Sequence, residues 1–248
     1  LKITVNNEIY LQSQRYDFQI SKVPFVDTKG KVSGIISSFR DVTEMLESQR
    51  RSEKATRQTI EVLTKAVELN DPYLAGHSRL MSQLANETAK AMSCPESVRA
   101  SVETASYLSQ LGKMFIDSKL LQKPAALTAE EKMQVEKHIE HAAEILKGIE
   151  FDLPIHDTIL QMNEHLDGSG YPAGLKGQQI SQPARILTVI NSFCAMIQPR
   201  SYRPARSSED IFSILKEEQS KYDMTVILAL ESVVKSATGE RILFNTQS

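Results

Sequence analysis

Residues Met162 to Gly177 read MNEHLDGSGYPAGLKG. Gly168, Gly170, Gly174 and Gly177 crowd this stretch together with Tyr171 and Pro172, in a chain that holds only 10 Gly and 9 Pro. Glycine is kept where the backbone needs a positive φ or must approach another atom closely, and Asp167 and Ser169 are residue types that hydrogen-bond into such turns. The stretch is therefore a built loop, and loops of this kind carry function. The residues in front of it, Met162 and Asn163, are poor chemistry for an active site.

On both sides of the loop the sequence is helical. Pro-bearing and Gly-bearing joints predict helices over 75–92, 96–110, 129–147, 154–164, 182–198, 208–219 and 223–237. Polar acceptors stand where two of them should start, Thr128 with Glu131, and Ser207 or Ser208 before Asp210. An all-α bundle of about 175 residues is expected.

Upstream, VTEMLESQRRSEKATRQTIEVLTKAVELN (Val42 to Asn70) has neither Gly nor Pro and predicts one long helix. Its first half carries a thin apolar stripe through Val42, Met45 and Leu46. The second half adds Ile60, Val62, Leu63, Ala66 and Val67. A thin stripe suits a seam between two helices, so this segment reads as a signalling helix that pairs in a homodimer; a solvated connector in a monomer is the alternative. From Glu8 to Phe39 the pattern turns strand-like, with Asp27-Thr28-Lys29-Gly30 as a hairpin turn. So few strands cannot enclose a core, and residues 1–41 read as the end of a larger sheet domain.

The totals set limits. With 248 residues, 41% hydrophobic and 24% charged, the chain is an ordinary globular one. Its 29 basic and 31 acidic residues nearly cancel, and no basic run exceeds Arg50-Arg51, so nucleic acid is not an expected partner. Cys94 and Cys194 form neither a CxxC pair nor a disulfide framework, which suits a cytoplasmic protein. No apolar run reaches the roughly 18 residues of a membrane span. The first residue is Leu1 rather than Met, so the sequence reads as a fragment, which leaves room for an upstream sensor or membrane tether.

The order of the segments resembles a known family. ELNDPYLAGHSRL (Glu68 to Leu80), LSQLGKMFIDSKLLQKPAALTAEE (Leu108 to Glu131), HIEHAAEIL (His138 to Leu146), the loop itself within Asn163 to Ile180, and ARILTVINSFCAMIQPRSYRPA (Ala184 to Ala205) are similar, in sequence order, to the motifs of the HD-GYP family. GIISSFRDVTE (Gly34 to Glu44) likewise resembles the closing strand and helical exit of a PAS sensor domain. These resemblances imply a mainly α fold: an HD-GYP-like helical bundle over 71–248, preceded by a small antiparallel β segment over 1–41 and a linker helix over 42–70.

The family resemblance also implies adjacent iron or manganese ions that hydrolyse the cyclic dinucleotide c-di-GMP, polarising phosphoryl oxygens and generating a hydroxide for in-line attack. Such a centre needs His and carboxylate ligands converging from several helices. Carried onto this sequence, the opening glutamate is Glu68, and a helix histidine is His138. The namesake His-Asp pair falls on Ser109 and Gln110, the paired histidines before the loop on Met162 and Asn163, and the final aspartate on Asn191. Only Glu68 and His138 keep a ligand. Ser, Gln, Met and Asn do not replace hard anionic and imidazole ligands around iron or manganese, so no metal and no catalytic residue is expected.

What persists is the frame of the family: Gly112, Lys113, Glu164, Asp167, Gly168, Gly170, Tyr171, Pro172, Gly174, Arg185, Arg200, Tyr202 and Arg203 match it. Lys113 has two readings, a phosphate contact or a charge that fills the vacated site by pairing with Glu68. Arg200, Arg203 and Arg206 around Tyr202 suit either a phosphate grip or an interface. His77 reads as a hydrogen-bonded structural residue; His138 and His141 with Glu144 or Glu68 offer a rebuilt metal site, and His165 with Asp167 invites a similar idea, although turn chemistry explains Asp167 without a metal.

The expected function is a catalytically inactive HD-GYP-like relay in bacterial signalling, controlled by a PAS-type sensor. Its partner would be a signalling protein, with a GGDEF-type domain the family's precedent. Lys113, Asp167, Gly168, Gly170, Tyr171, Pro172, Arg185, Arg200 and Arg203 would supply the recognition surface. Two alternatives remain: a receptor for c-di-GMP or another nucleotide, and a residual metal-dependent c-di-GMP phosphodiesterase with iron or manganese in a rebuilt site.

Overall fold

The computed structural model describes residues 3–11, 14–70, 74–199 and 204–244. The chain divides into two compact units, 1–59 and 60–248, and the division falls within the long helix.

The first unit is a three-stranded antiparallel sheet in the order β1-β2-β3, followed by the start of helix α1. β1 (Ile3–Leu11) pairs with β2 (Gln14–Val26), and β2 pairs with β3 (Val32–Asp41) from Phe18↔Asp41 to Val26↔Val32. The turn between β2 and β3 is closed by Asp27, whose carboxylate accepts the Lys29 and Lys31 amides. Gly30 sits at φ 78°, the left-handed region that turn requires. Gly34 lies under the Phe25 ring, which occupies the space a Cβ would need. The sheet buries Ile20 but leaves Val23, Phe25, Val26, Val32, Ile35, Ile36 and Phe39 exposed. Period-two alternation puts these on both faces.

The sheet is joined to α1 (Thr43–Asn70) by a compact polar joint. Asp41 accepts both the Thr43 amide and its hydroxyl, and the Thr43 hydroxyl oxygen accepts the Asp17 amide at 2.8 Å. Buried Asp17 pairs with Arg50, two turns into the helix, at 3.1 Å. The Thr43 hydrogen bonds hold the Asp41 carboxyl below its usual range.

The second unit is an all-helical bundle. Its helices are α2 (His77–Ala91), α3 (Glu96–Leu108), α4 (Ser118–Leu121), α5 (Ala129–Glu136), α6 (His138–Leu146), α7 (Ile155–Gln161), α8 (Gln182–Ile197), α9 (Ser208–Glu217), α10 (Met224–Val234) and α11 (Ala237–Phe244). α2 presents Leu80, Met81, Leu84, Ala85 and Ala89, an i, i+4 stripe, to α3, α8 and α10. α8 is buried on most sides through Ile186, Leu187, Val189, Ile190 and Phe193 and forms the axis of the core. The second half of α1 docks through Ile60, Thr64 and Val67, and the Thr64 hydroxyl bonds the Tyr107 carbonyl.

Both expected N-caps are present. Thr128 and Glu131 form a reciprocal capping box, and the Ser207 hydroxyl accepts the Asp210 amide. The helix expected over 129–147 is instead two elements meeting at Lys137. There His138 Nδ1 bonds the Val135 carbonyl at 2.7 Å, an acceptor that a straight helix would give to the backbone four residues on. The helix expected over 96–110 ends at Leu108 and tightens into a 3-10 segment, Ser109–Phe115. Gly112 in that segment abuts the His138 carbonyl so closely that no side chain fits. The span expected over 154–164 is shorter, because Met162 to Glu164 turn into the loop. The span over 223–237 stops at Val234, where Ser236 bonds the Val233 carbonyl and caps α11 through the Gly239 amide. α4, capped by Asp117, was not expected at all.

Candidate functional site

The loop that follows α7 is folded around one buried carboxylate. Glu164, 1% exposed, accepts the amides of Ala173 at 2.6 Å, Gly174 at 3.1 Å and Leu175 at 3.0 Å. A carboxylate taken out of water is costly unless its lone pairs are met, and three converging N–H groups meet them. Around this nest the Gly168 amide bonds the His165 carbonyl, Gly177 bonds Leu166, and Leu166 bonds Lys221 in the α9–α10 connection. Gly168 and Gly174 have φ of 83° and 66°. Gly170 touches the backbone of Asn163, Glu164 and His165, so that position has no room for a Cβ. Asp167 closes a turn onto Ser169, whose hydroxyl and amide hold its carboxyl below the usual range. The Tyr171-Pro172 peptide bond is cis.

Tyr171 is packed against the core, and its amide bonds the Asn163 carbonyl. Burial pushes its phenol well above the ordinary tyrosine range, with Glu136 adding to the rise and a hydrogen bond from the Asn163 side chain opposing it. Asn163 in turn accepts from Asn191 Nδ2 at 3.1 Å. The Asn191 oxygen lies 3.3 Å from Nε2 of His77, whose Nδ1 lies 2.8 Å from the Gln198 side-chain amide. His77 is 2% exposed at the first turn of α2, and Asn191 is midway along α8. A single chain of side-chain hydrogen bonds thus links α2, α8 and the loop. Its members include both asparagines that stand at expected ligand positions.

The other family positions lie apart from this chain in their described contacts. Ser109 bonds the Ser106 carbonyl and accepts from Gln110, whose buried Oε1 has no hydrogen-bond partner. Met162, 1% exposed, belongs to the apolar core. His138 is buried and held neutral: desolvation, followed by the charges of Lys113 and His141, lowers its pKa to about 3. Lys113 therefore lies near His138. Partial burial raises the Glu68 carboxyl, opposed by a hydrogen bond from the Gly76 amide and by Lys65.

The donor set does not fit the metals that the resemblance implies. A bridged pair of ions needs lone pairs converging on a common point, whereas Asn191 aims an N–H donor at Asn163, and Met162 contributes a thioether to the core. Among the described residues no group of three or more His, Cys, Asp or Glu is placed to hold an ion, the His138 and His141 pair included.

Arg185 pairs with Asp223 at 3.2 Å. The crevice they share with Glu164, Thr188, Lys221 and Tyr222 is too narrow to admit water, so in this arrangement Arg185 braces α8 against α10. Arg200 and Arg203, with Tyr202 between them, lie outside the described residues. Pro172 is exposed at the loop's outer edge, as are Asp167 and Ser169. His77 is the hydrogen-bonded structural residue that the sequence suggests, whereas the part played by Gln198 was not foreseen. The available signal was that two amides replaced residues expected to converge on one centre.

The helical order and packing define an HD-type bundle. The fold is similar to the crystal structure of a cyclic GMP-AMP specific phosphodiesterase of Vibrio cholerae, with a TM-score of 0.58 at 14% identity over 77% of this chain and 50% of that one. The HD domain model matches residues 61–226, and the chain belongs to that family.

Curated relatives include a 3'3'-cGAMP-specific phosphodiesterase of Vibrio cholerae, 31% identical over 62% of this chain and 33% of the relative. A cyclic di-GMP phosphodiesterase response regulator of Xanthomonas campestris is 28% identical over 71% and 47%. A cyclic di-GMP phosphodiesterase of Thermotoga maritima is 29% identical over 73% and 50%. The chain spans a third to a half of the length of these relatives. No described helix is long and apolar enough to cross a membrane.

Proposed function

We propose that this chain is a degenerate HD-GYP-like signalling module that relays a signal instead of hydrolysing a cyclic dinucleotide. The observation that carries the reading is the Asn191 to Asn163 hydrogen bond at 3.1 Å, between two residues standing where the family resemblance expects an aspartate and a histidine. The two amides are spent on each other, and the Asn191 oxygen faces His77. Metal-assisted phosphoryl chemistry has no ligand frame in such a set.

Residues 1–41 act as the closing strands of a PAS-type sensor, 42–70 as the signalling helix and 71–248 as the output domain, in the cytoplasm. The tight joint at Asp17, Asp41, Thr43 and Arg50 suits a stiff connection between sheet and helix. α1 pairs with its counterpart in a homodimer. Ile60, Thr64 and Val67 are turned to the bundle, whereas Val62, Leu63 and Ala66 are exposed and free for such a seam. A change of register in α1 then alters the packing of the bundle and of the loop. The loop's exposed edge, Asp167, Ser169 and Pro172, meets a signalling partner, for which a GGDEF-type domain is the first to try.

The test is elemental analysis of the full chain purified from iron- and manganese-supplemented culture, with a hydrolysis assay on c-di-GMP and 3'3'-cGAMP. Substoichiometric metal and no product are expected. Metal near one or more equivalents together with turnover would overturn the reading. Calorimetric titration with the same dinucleotides tests the receptor alternative, and heat of binding without hydrolysis would favour it.

A further inference from the structure

We propose that the Asn163–Asn191 pair is a metal-independent cross-link that positions the 163–177 loop on the helical core. The inference rests on the metal-free reading above and adds to it what holds the loop in place. The side-chain hydrogen bonds share one polarity. His77 Nε2 faces the Asn191 oxygen, Asn191 Nδ2 donates to the Asn163 side-chain oxygen, and the Asn163 backbone carbonyl accepts the Tyr171 amide. With the His77 proton on Nε2, Asn191 uses its oxygen to accept and its N–H to donate, and each bond polarises the next.

The chain starts on the first turn of α2, crosses the middle of α8 and ends on the loop. Asn163 also holds the loop through its backbone, its carbonyl accepting the Tyr171 amide at 3.1 Å. The residues right after Tyr171 and Pro172 are those that wrap Glu164. Asn163 is 9% exposed and His77 2%, so a broken link leaves polar groups stranded out of water. In the metal-bearing bundle that the family resemblance implies, an ion would join α8 to the start of this loop. Here a neutral amide pair does so, without demanding any ion.

Hydrogen exchange on the full chain tests this, with and without chelator. Asn191→Ala is expected to speed exchange of the Tyr171, Ala173 and Gly174 amides by about ten-fold, the effect of stranding one buried partner, while α10 amides hold their rates. Asn191→Asp should do the same, because its carboxylate faces the Asn163 oxygen; adding Asn163→His, which restores an N–H toward that carboxylate, should recover protection with chelator present. Asn163→Ser, whose hydroxyl is too short to reach Asn191, is expected to give a smaller rise, about three-fold, which keeps the test available if Asn191→Ala does not fold.

Unchanged loop exchange in Asn191→Ala, or in Asn163→Ser should the former not fold, overturns the cross-link and leaves the metal-free reading standing. Loop exchange that rises in the wild-type chain on adding chelator overturns the metal-free reading itself.

Discussion

The carboxylate of Glu164 accepts the amide of Ala173 at 2.6 Å, within a loop whose residues 173, 174 and 175 all turn their N–H groups inward to it. The glycines of this loop thereby gain a physical purpose that needs no catalysis. Gly170 permits backbone contact with Glu164, and Gly174 supplies the left-handed residue that aims an amide at it.

Glu164→Gln keeps the size of the side chain, replaces one oxygen with a donor facing donors, and removes the charge. We expect a loss of about 2 to 3 kcal/mol, read as a lower urea midpoint with an unchanged slope.

Gly112→Ala places a methyl group against the His138 carbonyl and the Ala142 amide, neither of which has freedom to yield. A cost of about 3 kcal/mol is expected from overpacking, measurable by thermal melting. Gly148→Ala, where a Cβ meets nothing, is the control and should melt like the parent.

His138 is neutral in the folded chain down to about pH 3, whereas its unfolded form takes up a proton near 6.5. The unfolded state binds more protons between these values, so the contribution is fully present above 6.5 and is lost as pH falls toward 3. Stability should decline by about 1.4 kcal/mol per pH unit within that window from this one group. His138→Gln, which keeps a donor for the Val135 carbonyl, should flatten the denaturation midpoint against pH by one proton.

Val62→Glu with Leu63→Glu adds charge to the exposed stripe of α1 without touching Ile60, Thr64 or Val67. Sedimentation velocity is expected to show a dimer for the parent and a monomer for the variant, with melting changed by less than about 0.5 kcal/mol as for other surface substitutions. A parent chain that is already monomeric at high concentration defeats the seam.

Arg50→Ala leaves buried Asp17 with Arg15 as its remaining ion-pair partner. Because Arg50 is half exposed, the expected cost is about 1 kcal/mol and shrinks in high salt. Hydrogen exchange at the Thr43 and Val42 amides reads it locally.

Much of the bundle was legible because its signals are local. Thr128 and Glu131 cap α5 as their spacing predicts, and the apolar period of α2 is the stripe that packs. Two of the misjudged boundaries share a cause in contacts between side chains and backbone. The 129–147 span is interrupted where His138 takes the Val135 carbonyl, and α10 ends where Ser236 takes that of Val233. Helical propensity carries no information about such competition.

The sequence by itself determined the helical class, the strand pair closed at Asp27, the uninterrupted α1 and the presence of a glycine loop after Met162-Asn163, because each follows from periodicity, turn chemistry or the order of motifs along the chain. The tertiary structure alone decided what the substituted residues do. Asn163 and Asn191 are 28 positions apart and His77 and Asn191 are 114 apart, and only the packing of α2 against α8 brings their amides and imidazole within hydrogen-bonding distance. Hydrogen bonds act over about 3 Å, so the partner of a buried amide is set by the fold that surrounds it.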